Sequence, residues 1–261
     1  MKSIQSRDNA FYKELAKLSG SARQRSKSGQ ALLDGAHLLA AYLDCGNRPR
    51  HILLNAAAQQ DDEIAGLLDR IRDVPVTQLD DKLFAELSEL KTPTGILALI
   101  DIPEPDPHAV QSQFALLLEN IQDPGNLGSM LRSAAAAGCD AVFLSQACAD
   151  AWSPRVLRAA MGGHFALTIH EHADLKDIAA RFNGATFGAT LQARDSLYGH
   201  DYTGNVAFVF GNEGAGLSQP LVDSVHHTIV IPMAGKVESL NAAAAAAVCL
   251  FEAARQRGWK R

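Results

Sequence analysis

FVFGNEGAGLSQ, residues 208–219, followed after a short spacer by IPMAGKVESLNAAAAAAV, residues 231–248, decides how this chain folds. The apolar runs 206–210 and 228–231 are too short and too uniform for surface helices, so both read as parallel strands buried on two faces. Each run ends in a loop of small and polar residues that leads into a helix. Gly211, Gly214 and Gly216 permit close backbone approach or a positive φ. Pro232 and Gly235 shape the second loop, and Ser239 or Asn241 can cap the helix after it. Ligands of open α/β sheets collect at the carboxyl ends of the strands, where both loops sit.

These two segments resemble the second and third signature motifs of the SpoU/TrmH family within the SPOUT superfamily. ENIQDPGNLGSMLRSAAAAG, residues 119–138, resembles the first. The three stand in the family's order and cover roughly residues 114–257. The resemblance implies S-adenosyl-L-methionine-dependent methylation of a ribose 2'-hydroxyl of RNA, with ribosomal RNA the preferred substrate. A tRNA 2'-O-methyltransferase, or a noncatalytic RNA-binding protein retaining the fold, is the alternative. It also implies a homodimer and a trefoil knot at the C-terminal end.

At 261 residues, with 47% hydrophobic and 20% charged residues, the chain has the composition of a globular protein of one large or two modest domains. Cys45, Cys139, Cys148 and Cys249 show no paired spacing, so neither a zinc site nor a disulfide framework is expected. No apolar run reaches the ~18 residues of a membrane span, and a cytoplasmic location is expected. The net charge of −5 argues against nucleic-acid binding, but its distribution argues for it. Residues 1–27 carry seven basic and two acidic side chains, a local +5, whereas residues 51–110 carry four and twelve, a local −8. Such asymmetry lets an acidic protein offer one basic face to a polyanion.

Along the chain, Ile4, Phe11, Leu15 and Leu18 sit at helical spacing and predict an amphipathic helix over 3–18. SGSARQRSKSGQ, residues 19–30, reads as a polar loop whose Arg23, Arg25 and Lys27 suit phosphate oxygens. From residue 31 to 101, short apolar runs alternate with helical stretches: strands in ALLDG, RHILLN, PVTQL and TGILALI, helices in AHLLAAYLDC, DDEIAGLLDRIRD and DKLFAELSEL. The expected organisation is thus an N-terminal α/β RNA substrate-binding domain over 1–102, similar to the family's ribosomal-protein-like domain. A proline-rich linker follows over 103–113, then a Rossmann-like parallel-sheet catalytic domain over 114–261. In SPRVLRAAMG, Ser153 caps a helix with Pro154 at its first position.

GNLGSMLR, residues 125–132, fails the dinucleotide spacing G-x-G-x-x-G but offers a helix N-terminus beside Asn126, with Arg132 close behind. Arg132 either reaches solvent or pairs with Glu119 or Glu213, because an unpaired buried charge is costly. The resemblance assigns catalysis to Arg132, Asn126, Glu213, Ser239 and Asn241. Arginine stays protonated, so Arg132 reads as a clamp that stabilises a developing alkoxide rather than as a base. Gly211, Asn212, Gly214, Ile231, Met233, Ser239 and Leu240 are the expected cofactor contacts. His170 and His172 would share one face of an extended segment, but no third metal ligand accompanies them, and His226 and His227 would point apart on a strand. No metal is expected.

Overall fold

The structure, a computed structural model, describes residues 2–90, 92–105 and 112–258. They form two compact units. One comprises the residues up to Glu104 together with Trp152–Phe165, and the other the described residues of Pro105–Ala151 and those from Ala166 onward.

The first unit runs β1 (Lys2–Ile4), α1 (Ala10–Gly20), α2 (Ala22–Ser28), β2 (Gln30–Asp34), α3 (Ala36–Asp44), β3 (His51–Leu54), α4 (Asp62–Asp69), β4 (Val76–Leu79), α5 (Asp81–Leu87) and β5 (Ile96–Asp101). The strands form one mixed sheet in the order β1-β4-β3-β5-β2, with β5 antiparallel to both its neighbours. Leu32, Leu53, Leu79, Leu97 and Leu99 project from the sheet into a core closed by Leu15, Leu18, Leu83 and Phe84 of the helices.

Two expectations at the N-terminus are corrected. Ile4 belongs to β1, opposite Leu79 of β4, and the helix starts only at Ala10. Asn9 sets that start, because its Oδ1 accepts from Phe11 N (3.0 Å) and Tyr12 N (3.2 Å). The seven-residue interval from Ile4 to Phe11 mimics two helical turns while spanning a strand and a turn. Second, most of 19–30 is the helix α2, capped by Ser21 and ended by Gly29 at φ 63°. Arg25 on this helix is only 5% exposed. Its guanidinium donates to the carbonyls of Leu18 and, at 2.9 Å, Ser19, the carbonyl end of α1. A cation there satisfies acceptors that α1 leaves open, which removes Arg25 from any phosphate-facing set. Arg23 and Lys27 remain exposed.

The proline-rich stretch 103–113 lies largely outside the described residues. The helix α7 (Pro154–Ala160), with Ser153 as its cap, packs on β2 in the first unit. Its close approach needs Gly162, where a Cβ would lie 2.6 Å from Ala41 Cβ.

The second unit contains β6 (Phe114–Leu118), α6 (Pro124–Ala137), β7 (Ala141–Leu144), β8 (Thr168–His170), α8 (Leu175–Arg181), β9 (Ala185–Ala189), β10 (Asp195–Ser196), β11 (Val206–Phe210), α9 (Gln219–Val222), β12 (His227–Val230) and α10 (Ala242–Gln256). All seven strands are parallel, in the order β10-β12-β9-β11-β6-β7-β8. β6 and β11 are fully buried, as their uniform apolarity requires. The connectivity reverses direction between β6 and β11, so the loops after these strands meet at the switch point of the sheet. α10 packs on α6, and the small side chains of Ala243, Ala246 and Ala253 are buried along α10.

Candidate active site

Because the sheet is parallel, every strand delivers its carboxyl end to the same edge. A cavity of about 590 Å³ opens there, lined by the residues after β9, β11 and β12 and by Ser239 and Leu240 ahead of α10. Gly211, Asn212, Glu213, Gly214, Ile231, Met233, Ser239 and Leu240 all line it. The loop after β11 is drawn tight: a Cβ on Gly211 would lie 2.2 Å from the carbonyl group of Gly216, so only glycine fits. Asn212 Oδ1 accepts from Gly214 N (2.9 Å) and Ala215 N (3.0 Å), folding the loop around its own side chain. At the loop's far end, Ser218 donates from N and Oγ to the two carboxylate oxygens of Glu119, at 2.8 and 2.6 Å.

Three residues from three distant stretches are joined beside this cavity. Asn241 caps α10, its Oδ1 accepting from Ala243 N (2.9 Å) and Ala244 N (3.3 Å). The cap fixes the oxygen of this amide, so its Nδ2 is left to donate to Asn126 Oδ1 at 2.9 Å. Asn126 is thereby oriented in turn and donates from Nδ2 to Glu213 Oε1 at 2.9 Å. Asn126 sits in the first turn of α6, whose cap Asp123 accepts from Asn126 N at 2.7 Å, with Pro124 at the first helical position. The direction of the whole relay follows from the cap of α10, which fixes the Asn241 amide.

Arg132 does not line the cavity. It is exposed on α6, with no hydrogen bond or ion pair among the described residues. Neither carboxylate considered as its partner is engaged with it, since Glu119 holds Ser218 and Glu213 holds Asn126. Around it, Gly125, Ser129 and Ala136 are also exposed, so the outer face of α6 is small except at this guanidinium.

His170 and His227 have packing roles. The His170 ring stacks on Phe143 with centroids 4.7 Å apart, and His172 takes φ 58°, so the two do not share one extended face. His226 Nδ1 lies 2.8 Å from Thr186 Oγ1, whereas His227 stacks on Phe187. Among the described residues, no three metal-ligating side chains gather to hold an ion. Burial pushes the Cys249 thiol up to about 12, so it is a small core side chain rather than a nucleophile.

Residues 113–251 match the model of the SpoU rRNA methylase family, and residues 9–98 match the MRM3-like substrate-binding domain. The chain belongs to the SpoU rRNA methylase family. Among its relatives is an uncharacterized tRNA/rRNA methyltransferase of Synechocystis sp., 35% identical over 98% of this chain and 94% of the relative. The 23S rRNA guanosine 2'-O-methyltransferase RlmP of Bacillus subtilis is 31% identical over 96% of this chain and 98% of its own. The crystal structure of the SpoU methyltransferase AviRb from Streptomyces viridochromogenes in complex with AdoMet superposes with a TM-score of 0.83 at 27% identity, covering 95% and 99% of the two chains. The relay from Asn241 to Glu213 links the three stretches that resemble the family's signature motifs. Sequence reasoning missed Glu119 and Ser218 as a clasp on the second loop. It also missed the cavity wall after β9, Thr190–Ala193.

Proposed function

We propose that this SpoU protein methylates a ribose 2'-hydroxyl of ribosomal RNA with S-adenosylmethionine, acting as a homodimer in the cytoplasm. The observation that carries the reading is the hydrogen-bonded relay Asn241–Asn126–Glu213 beside a cavity walled by backbone and small residues. The cavity fits the cofactor's chemistry. Met233 and Leu240, 36% and 38% exposed, together with Ile231, offer apolar surface to an adenosine. The loop 211–217 offers backbone polar groups for its polar edges. When bound, the cofactor supplies an electrophilic methyl group on a sulfonium.

What this chain must add is alignment and help with a very weak acid. Glu213, oriented by Asn126, and Ser239 shape the wall against which the ribose is held. Arg132 donates to the RNA phosphate and to the hydroxyl oxygen as negative charge develops there and stays protonated throughout, while the hydroxyl proton passes to the RNA phosphate or to water. In one chain Arg132 does not line the cavity, so we assign it to the site of the partner subunit. The small face of α6 around it suits a close approach of another helix. The loops 211–218 and 231–241 would form the trefoil knot that the family resemblance implies. Tight closure at Gly211 and the return of α10 onto α6 support that topology. In the N-terminal unit, Arg23 and Lys27 on α2 are the residues proposed to hold RNA.

The reading is tested by calorimetry with S-adenosylhomocysteine. One molecule is expected to bind per chain, and binding is expected to vanish in Gly211→Val, whose side chain the loop cannot hold. A chain that binds neither this compound nor S-adenosylmethionine would not be a methyltransferase.

A further inference from the structure

Asn120 is one of three described non-glycine residues with positive φ, at 57°, and it sits where β6 leaves the sheet at the switch point. A left-handed backbone is strained for residues with a Cβ, and asparagine is among those that tolerate it best. Here it is held on both sides. Ser145 Oγ, just past β7, accepts from Asn120 N at 2.9 Å and donates to Asn120 Oδ1 at 2.9 Å. Ser145 is fixed in turn by its own N–H, which donates to Leu118 O at 3.0 Å. One hydroxyl thus grips both the backbone and the side chain of one residue.

The consequence lies on the other side of the peptide. With Asn120 in this conformation, its carbonyl accepts from Asn212 Nδ2 at 3.0 Å. That bond commits the Asn212 amide group, so Oδ1 faces the N–H groups of Gly214 and Ala215 and sets the loop. Asn212, Gly214 and Ala215 line the cavity, but Asn120 and Ser145 do not. We infer that Asn120 and Ser145 are positioning residues for the cofactor: the strained turn, locked by the serine, aims a carbonyl that holds the cofactor loop in its binding shape. The inference rests on the reading of this cavity as the S-adenosylmethionine site.

The geometry separates conformation from side chain. Asn120→Gly keeps access to φ 57° and so keeps the carbonyl aimed. Asn120→Ala and Ser145→Ala favour relaxation of the turn, which swings the carbonyl away from Asn212. Calorimetry with S-adenosylhomocysteine on the full chain is expected to give a Kd raised about tenfold in Asn120→Ala and Ser145→Ala. In Asn120→Gly the Kd should rise by about threefold at most. Turnover at saturating cofactor should stay close to wild type in all three, so that KM for the cofactor moves and kcat does not. Asn212→Ala should absorb the effect, with Ser145→Ala/Asn212→Ala binding no more weakly than Asn212→Ala alone. Circular dichroism checks folding, and where Asn120→Ala does not fold, the Ser145–Asn212 pair decides. An unchanged Kd in folded Ser145→Ala, or effects of Ser145 and Asn212 that simply add, would overturn the inference while leaving the cofactor site standing. A wild-type chain that binds no S-adenosylhomocysteine would overturn the site itself, and the inference with it.

Discussion

Arg132 shows how far a single residue can be read. The family resemblance marked it as catalytic, and the structure leaves it exposed on α6 with neither Glu119 nor Glu213 as partner. A guanidinium kept free in this way is available to a substrate phosphate. Arg132→Ala should leave cofactor affinity and melting temperature nearly unchanged and lower turnover by ~10²-fold, the scale for removing one charge-stabilising donor. A change of only a few-fold in single-turnover assays would make Arg132 a surface residue. Asn126, Glu213 and Asn241 were legible as residues of interest, but their linkage was not. It depends on which way two amides face: the cap of α10 fixes the Asn241 amide, which in turn orients that of Asn126, only once the chain is folded. Asn120 was not singled out, because asparagine tolerates a left-handed backbone without requiring one.

At the scale of the element, alternation of apolar runs was enough to find the strands and helices between residues 31 and 101, because buried strands and amphipathic helices differ in period. It failed where the period was coincidental, at Ile4, and where polarity concealed a helix, at α2. The signals for α2 were present in Ser21 and Gly29, but a seven-residue helix rich in serine and arginine has little apolar face to announce it. The error matters for function, since it divides the three basic residues into two kinds. Replacing Arg25 with alanine should cost the N-terminal unit about 2 kcal/mol, the scale for removing charge-assisted hydrogen bonds to buried carbonyls, and thermal denaturation would read this. Replacing Arg23 and Lys27 together should leave stability unchanged and weaken RNA binding. The slope of log affinity against log salt should fall by about 1.4, since each phosphate of a single strand that is no longer neutralised lowers it by ~0.7. An unaltered slope would mean that RNA is gripped elsewhere.

For the whole molecule, the two family matches divide the chain into a substrate-binding module, whose excess of basic charge is concentrated in residues 1–27, and a methylase domain built on a parallel sheet; we propose that the first holds RNA and the second the cofactor. The sequence order does not mark every boundary, since Trp152–Phe165 groups with the first unit. A one-dimensional reading cannot see a segment that packs away from its neighbours in the chain. If Arg132 serves the partner's site, mixing two inactive proteins should recover activity. Co-expressed Arg132→Ala and Gly211→Val chains should form heterodimers with one intact site, whereas either variant alone should stay inactive. Absence of recovery in heterodimers verified by mass would place Arg132 in the site of its own chain. We propose that this chain methylates ribose in ribosomal RNA. Mapping 2'-O-methylation across total RNA from cells with and without the protein tests it most directly. A ribosomal RNA position is expected to lose its methyl group in the deletion and to regain it with the wild-type chain but not with Arg132→Ala. A methylation map identical in both cells would contradict it.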